Sequence, residues 1–411
     1  MENENFVANA LVGQSGGPTA AINATLSGVI RGALASDRIG TLYGMRNGIE
    51  GFLREDLVDL SAKMTSEKDL SLLEQTPAAA LGSCRRKLPD PDSYDPVYDD
   101  IFALFSKYDI RYFFYIGGND SMDTVNKINA YAAKHGYPLK AVGVPKTIDN
   151  DVCATDHTPG FGSAAKYIAT TMQEILRDCA VYTVPAVTIV EIMGRDAGWL
   201  TCCAALPKRL CGVCPDLVYL PERPFSYEQY FADLRRAQAR HPNVVVAVSE
   251  GIRFEDGTYV GSSEQSGVID VFGHQYLSGT GKTLEHATKR ELGCKVRSIE
   301  LNLMQRCAAH VLSAVDIEES VRVGRTAVEM AMQGATGVML GFARNEGDTY
   351  GIRIVANDLS KIANEIRAVP DAYINKEANH VTDDCLSYLE PLICGEIPLV
   401  WENGLPHHFT F

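Results

Sequence analysis

Six consecutive residues carry the densest chemistry in the chain: Lys146-Thr147-Ile148-Asp149-Asn150-Asp151. They follow an apolar run, Ala141 to Val144, and bring together a cation, a hydroxyl and two carboxylates. An aspartate can take the proton of a hydroxyl nucleophile, and a lysine beside a phosphoryl group supplies compact positive charge. The plain alternative is a solvated loop. Gly16-Gly17 and Gly117-Gly118 each follow an apolar run and open a segment of helical spacing. Bare backbone at a helix N-terminus presents N–H groups to an anion, although a tight turn without a ligand needs the same residues. Asn119 and Asp120 offer oxygens to a hydrated Mg²⁺, which takes one or two carboxylates plus substrate phosphates. With Ser121 they equally suit a helix N-cap. Met193-Gly194-Arg195 and Glu250 end two more apolar runs. Arginine forks onto phosphate oxygens, and glutamate accepts from sugar hydroxyls. Arg297 and Arg306 flank an expected helix and, taken singly, read as solvated helix charges. Neither a GxGxxG nor a GxxxxGK[ST] pattern occurs, so dinucleotide and Walker-type phosphate binding are not indicated.

The elements that position these residues repeat one phrase: a short apolar run, a Gly- or Asp-bearing turn, then helical periodicity. Strands are expected at Ala8–Val12, Tyr112–Ile116, Ala141–Val144, Ala186–Val190, Val244–Val248 and Gly337–Phe342. Ile22, Leu26, Val29 and Ile30 predict a helix after the first, and Val125, Ile128 and Ala132 one after the second. Continuous Val/Ile-rich runs alternating with helices indicate buried parallel strands in an α/β fold. Ligands of such sheets bind at the carboxyl ends of the strands, where all the polar turns named above lie.

With 411 residues the chain has room for two or three domains. Thr158-Pro-Gly-Phe-Gly162 marks a boundary near residues 155–165, residues 54–76 and 86–100 read as surface, and the tail after about residue 375 as a covering segment. A formal charge of -14 argues against nucleic acid, whose phosphates call for Lys/Arg stripes. The acidic start lacks the features of a signal peptide and no run is apolar enough to span a membrane, so the default location is the cytoplasm. The 11 cysteines suit a reducing compartment. Cys211-x-x-Cys214 has no second pair and reads as thiols rather than a zinc or redox site. Asp156-His157 and His407-His408 match no metal-ligand spacing and read as surface or capping histidines.

In order along the chain, Gly13-Gln-Ser-Gly-Gly17, Leu81-Gly-Ser-Cys-Arg85, Gly117-Gly-Asn-Asp-Ser121, Pro145-Lys-Thr-Ile-Asp-Asn-Asp151, Met193-Gly-Arg195, Glu250 and Arg297 to Arg306 resemble the phosphofructokinase family. The resemblance implies two Rossmann-like three-layer α/β domains with mostly parallel sheets and the active site in the cleft between them. Residues 1–155 plus about 308–375 would bind the phosphoryl donor, about 156–307 fructose 6-phosphate, and about 376–411 would cover the body. Asp149 would be the base at the sugar 1-hydroxyl, with Lys146 and Arg195 assisting. Thr147 and Asp151 would flank the base. Met193, Gly194, Arg195, Glu250 and Arg306 would hold the sugar phosphate, and Arg297 would reach into a neighbouring subunit, implying a homodimer or homotetramer. Gly16, Gly17, Arg85, Asp120, Ser121 and Lys146 would face the donor, with Mg²⁺ near Asn119 and Asp120. ATP-using relatives carry glycine where Asp120 stands; a carboxylate there would crowd and repel a third phosphate. Asp120 with Lys146 therefore resembles the pyrophosphate-using branch, whose reaction runs both ways. Three positions depart from the family: Asn119 for a metal-binding aspartate, Leu303 for a His or Tyr, and Ala186 for an arginine of the bacterial ATP enzymes. The alternatives are an ATP-dependent enzyme and a non-catalytic sugar-phosphate-binding subunit.

Overall fold

The computed structural model describes residues 7–93, 95–261, 279–347, 349–362 and 366–411, so the acidic start lies outside the described residues. Among the described residues, eleven strands form two sheets. The larger comprises β1 (Ala8–Gln14), β2 (Ile39–Met45), β3 (Leu57–Asp59), β4 (Ile110–Gly117), β5 (Lys140–Pro145), β10 (Val338–Arg344) and β11 (Ile352–Asp358), in the order β11-β10-β5-β4-β1-β2-β3. The pairs from β10 through β2 are parallel; only the edge strands β3 and β11 run antiparallel. The smaller sheet is wholly parallel: β7 (Leu217–Tyr219), β8 (Asn243–Ser249), β6 (Ala186–Ile192) and β9 (Lys295–Glu300), in the order β7-β8-β6-β9. A short hairpin, β12 (Trp401–Glu402) with β13 (Leu405–Pro406), lies in the tail.

Each sheet is covered on both faces because its strands are apolar on both. Tyr112, Phe114 and Ile116 of β4 pack with helices Ile22–Leu34 and Ala314–Met332, while Phe113 and Tyr115 pack with helices Val97–Lys107 and Asn119–Lys134. In the smaller sheet Val187 and Ile189 face helices Tyr227–Gln238 and Thr280–Leu292. Val190 and Ile192 face helix Phe161–Cys179, buried Trp199, and Cys385, Leu386, Leu389 and Leu392 of the C-terminal segment. This is the expected pair of three-layer α/β units. Helices Ile22–Leu34 and Ala314–Met332 meet through glycines: a Cβ on Gly28 would lie 2.0 Å from the Val321 carbonyl oxygen, and one on Gly324 2.1 Å from that of Thr25. No larger residue permits that approach.

Three expectations are corrected. The stretch from Arg297 to Arg306 is not a helix: Arg297 lies on strand β9 and Arg306 in the single turn Met304–Cys307, with a loop between. The strand carries β-branched Val296 and Ile299 between polar residues and pairs with β6 on one side, and Asn302 adopts φ 39° at the bend. Residues 54–76 are not simply surface, since β3 and two short helices bury Val58, Leu60, Met64, Leu70 and Leu73 under the larger sheet. His157 is neither exposed nor a cap. It is buried, with Nδ1 2.9 Å from Asp156 Oδ1 and Nε2 2.7 Å from Glu319 Oε2. The cysteines among the described residues are free thiols, four of them buried. No helix among the described residues is long and apolar enough to cross a membrane.

Candidate active site

The carboxyl ends of β1, β4, β5, β6 and β8 converge on one cleft of about 640 Å³ between the sheets, a volume suited to two small anions together. Gly16, Gly17, Arg85, Asn119, Asp120, Ser121, Lys146, Thr147, Asp149, Asp151, Met193, Arg195, Glu250 and Arg306 all line it. Two of the residues singled out in the sequence do not. Gly194 sits beneath the wall and donates its N–H to Glu250 Oε1 (3.4 Å). Arg297 is exposed on β9, the edge strand of the smaller sheet.

The larger sheet supplies one wall as a set of interlocked turns. Ser15 N–H donates to the Ile116 carbonyl and Lys146 N–H to the Gly117 carbonyl, tying β1, β4 and β5 at their ends. Gly16, at φ 77°, donates to the Cys84 carbonyl and accepts from Ser83 Oγ (2.6 Å), which brings Arg85 to the cleft. Lys146 is buried, and its Nζ would lie 3.1 Å from a Cβ at Gly16. The ammonium is thus laid against bare backbone. Burial pushes its pKa down to about 8, partly offset by Asp149 and Asp151. Helix Asn119–Lys134 starts from Gly118, and no side chain caps it, so the polar groups of Asn119, Asp120 and Ser121 are not spent on an N-cap. Asp120 Oδ1 lies 3.2 Å from Lys87 Nζ. The Asp120 carboxylate is therefore paired, with both partners partly exposed.

The sugar-side candidates come from both walls: Thr147, Asp149 and Asp151 continue the turn after β5, and Met193, Arg195 and Glu250 follow β6 and β8 of the smaller sheet. Asp149 is oriented by Thr147, whose Oγ1 donates to Asp149 Oδ2 (3.3 Å) and accepts the Asp149 N–H (3.1 Å). Burial raises the Asp149 carboxyl, opposed by the Thr147 bond and by Lys146, Arg195 and Arg306. Burial and then the Asp149 charge lift Asp151 to about 7. Burial and Asp149 carry Glu250 to about 8. Arg195 Nε is buried and has no hydrogen-bond partner among the described residues. A buried donor without a partner carries a desolvation penalty that an arriving anion relieves. Gln305 holds the Met193 N–H (3.3 Å). Glu191, Asp196, Glu300 and Lys87 also reach the cleft. None was singled out, although Glu191 and Asp196 flank the Met-Gly-Arg turn and Lys87 lies two residues after Arg85.

Among the described residues no cluster of three His, Cys, Asp or Glu side chains is arranged to hold a metal by protein alone. The donor set nevertheless fits Mg²⁺. Asn119, Asp120, Asp149 and Asp151 all line the cleft, and burial, then the Asp149 charge, holds Asp151 above its ordinary range. A cation that completes its shell with water and substrate phosphates needs no more than that.

Two α/β units meet over this polar cleft, and residues 9–331 match the family model described as Phosphofructokinase; the chain belongs to that family. It is 41% identical over 403 residues to the pyrophosphate--fructose 6-phosphate 1-phosphotransferase of Halomonas elongata, covering 97% of this chain and 94% of the relative. The enzyme of the same name from Methylococcus capsulatus is 39% identical, covering 98% and 95%. The crystal structure of a pyrophosphate-dependent phosphofructokinase from Nitrosospira multiformis superposes with a TM-score of 0.87 at 36% identity, covering 98% of this chain and 96% of that one.

Proposed function

We propose that this chain catalyses reversible transfer of a phosphoryl group from pyrophosphate to the 1-hydroxyl of fructose 6-phosphate, giving fructose 1,6-bisphosphate and phosphate, a glycolytic step in the cytoplasm. One observation carries the reading: the buried Lys146 ammonium lies against Gly16 in the same cleft as the Thr147-oriented Asp149. Residues 1–155 with about 308–375 bind pyrophosphate, and about 156–307 bind the sugar phosphate. Lys146, Arg85 and the N–H groups at Gly16 and Gly17 hold the donor. Asp120, paired with Lys87, stands where a longer polyphosphate would continue. Arg195, with its unpartnered Nε, and Arg306 bind the sugar phosphate, while Met193, Gly194 and Glu250 shape its seat. Asp149 accepts the proton of the 1-hydroxyl. Its raised pKa brings a carboxylate closer to the basicity a hydroxyl requires. Lys146 then faces the departing phosphate as charge accumulates on it. Asp151, Asn119 and Asp120 are the groups that would hold Mg²⁺, which supplies charge neutralisation on the pyrophosphate when bound. Arg297, exposed on an edge strand, serves a neighbouring copy in a homodimer or homotetramer.

The test is a coupled assay of the purified chain with fructose 6-phosphate and Mg²⁺, given pyrophosphate or ATP. Turnover with pyrophosphate alone is expected. Turnover with ATP alone would overturn the donor assignment, and sugar-phosphate binding without turnover would point to a binding subunit.

A further inference from the structure

The turn that carries Asp149 and Asp151 is held from behind by residues well beyond the family-matched segment 9–331. Asn150, between the two acids, adopts φ 55° and is fully buried. Asparagine tolerates this left-handed backbone better than most residues, but the conformation still needs external support. Its side chain is satisfied on both sides: Oδ1 accepts the Thr158 N–H (3.1 Å), and Nδ2 donates to Tyr388 Oη (3.1 Å). Tyr388 Oη in turn donates to the Asp156 carbonyl (2.7 Å). Arg367 grips the backbone of the same turn, its Nη1 donating to the Asn150 carbonyl (3.2 Å) and its N–H to the Asp151 carbonyl (2.9 Å). Arg367 is itself fixed. Its carbonyl accepts from Trp199 Nε1 (2.8 Å), its guanidinium lies 4.2 Å from the Trp199 ring centroid, and Nη2 reaches Tyr388 Oη (3.3 Å).

We infer that Tyr388 and Arg367 are positioning residues for the catalytic acid pair, so that the C-terminal segment is part of the active-site machinery. They touch neither the cleft nor the reacting atoms; they act through Asn150 and the peptide carbonyls on either side of Asp151. The clamp is polar and buried, and a network of this kind specifies one geometry only while every member is satisfied. Removing the Tyr388 hydroxyl strands Asn150 Nδ2 and the Asp156 carbonyl and frees the turn to relax. A displacement of about 1 Å of a catalytic group costs on the order of 10²-fold in rate. The kinetic half of this inference rests on the phosphotransferase reading above; the structural half does not.

The experiment compares Tyr388→Phe with Leu392→Ala. The first keeps the ring and deletes one hydroxyl; the second loosens the packing of the same C-terminal segment at a core leucine whose side chain has no polar group to bond Asn150. Amide hydrogen exchange over residues 147–153 is measured first and kcat and KM second. Exchange in that peptide is expected to rise at least tenfold in Tyr388→Phe, while Leu392→Ala loses the more thermal stability and leaves this peptide near wild type. In the coupled assay Tyr388→Phe should lose about tenfold or more in kcat with both KM values within about twofold, and Arg367→Met should behave alike. Unchanged exchange in Tyr388→Phe, or equal changes in both variants, overturns the clamp whatever the activity. A faster-exchanging turn with unchanged kcat overturns the positioning role, and a wild-type chain without turnover would count against the functional reading alone.

Discussion

Replacement of Lys146 by methionine keeps the length and apolar stem of the side chain and removes one charge. The ammonium is buried against Gly16, where the cleft floor is backbone rather than water. At about 4 Å from a phosphoryl oxygen, with an effective dielectric near 20, a unit charge is worth about 4 kcal/mol. Removing one charge-stabilising group from an enzyme site typically loses about 10²–10³ in kcat, and Lys146→Met should fall in that range with pyrophosphate. The pH dependence gives a second handle. The lysine pKa is lowered to about 8 by burial, so the charged form is present below that value and is lost as pH rises through it. In the wild type kcat/KM for pyrophosphate should therefore decline above about pH 8. In Lys146→Met that alkaline limb should vanish. The acid limb should move to higher pH, because Asp149 and Asp151 lose a neighbouring cation that lowers both. Initial rates in the coupled assay from pH 6 to 9.5, with Mg²⁺ saturating, measure both limbs. A variant within tenfold of wild type, or one that keeps the wild-type alkaline limb, would refute the assignment of Lys146 to the donor.

Asp149→Asn should lower kcat at least ~10²-fold while leaving sugar-phosphate affinity within a few-fold, because the amide keeps the shape but not the basicity; titration calorimetry beside the rate assay separates the two. Asp120→Gly should open the donor side to ATP, and combining it with Lys146→Gly should increase ATP use. Since Asp120 is paired with Lys87, the gain comes from space more than from lost repulsion, so Asp120→Asn should gain little. His157→Leu deletes the partner of one buried and one partly buried carboxylate, Glu319 and Asp156, and should destabilise the fold by about 3 kcal/mol, read as a lower Tm. Burial opposes its charge, but bonds to Asp156 and Glu319 leave the His157 pKa raised above 6.5. The Asp156 carboxyl, despite burial, is held below 3.8 by His157 and Arg344. The stabilisation from charged His157 is complete below about pH 6.5 and lost as pH rises through its folded pKa; that from Asp156 is present above about pH 4 and lost on acidification. The Tm gap between wild type and variant should thus be widest near pH 5–6 and narrow at alkaline pH.

The strands and turns of the cleft were legible because each is a local signal: a β-branched run followed by glycine or aspartate reads the same alone as in the fold. Most of the residues singled out meet in the cleft for that reason. What the sequence hid was set by long-range packing. Arg297 and Arg306 looked like helix charges, and only the pairing of β9 with β6 makes the former an edge-strand residue. His157 looked like a surface histidine, because nothing near it announces Glu319, a partner 162 positions away. The ion pair of Lys87 with Asp120 and the clamp of Arg367 and Tyr388 on Asn150 likewise join distant segments that share no motif. Composition and spacing cannot register such partners.

The interleaving of the two sheets bears on how the chain is made. β5 receives its neighbour β10 only after the whole smaller sheet has been threaded, roughly 190 residues later, which at ribosomal rates of ~5–20 residues/s is about 10–40 s. Through that interval the nascent larger sheet exposes an apolar parallel edge and lacks the Ala314–Met332 helix that covers one of its faces, so its glycine contact with Ile22–Leu34 is among the last to form. An unpaired edge of that kind invites association with other chains. A newborn molecule of this protein is thus most exposed to aggregation while its smaller sheet is being synthesised, and slowing translation there should raise its dependence on chaperones.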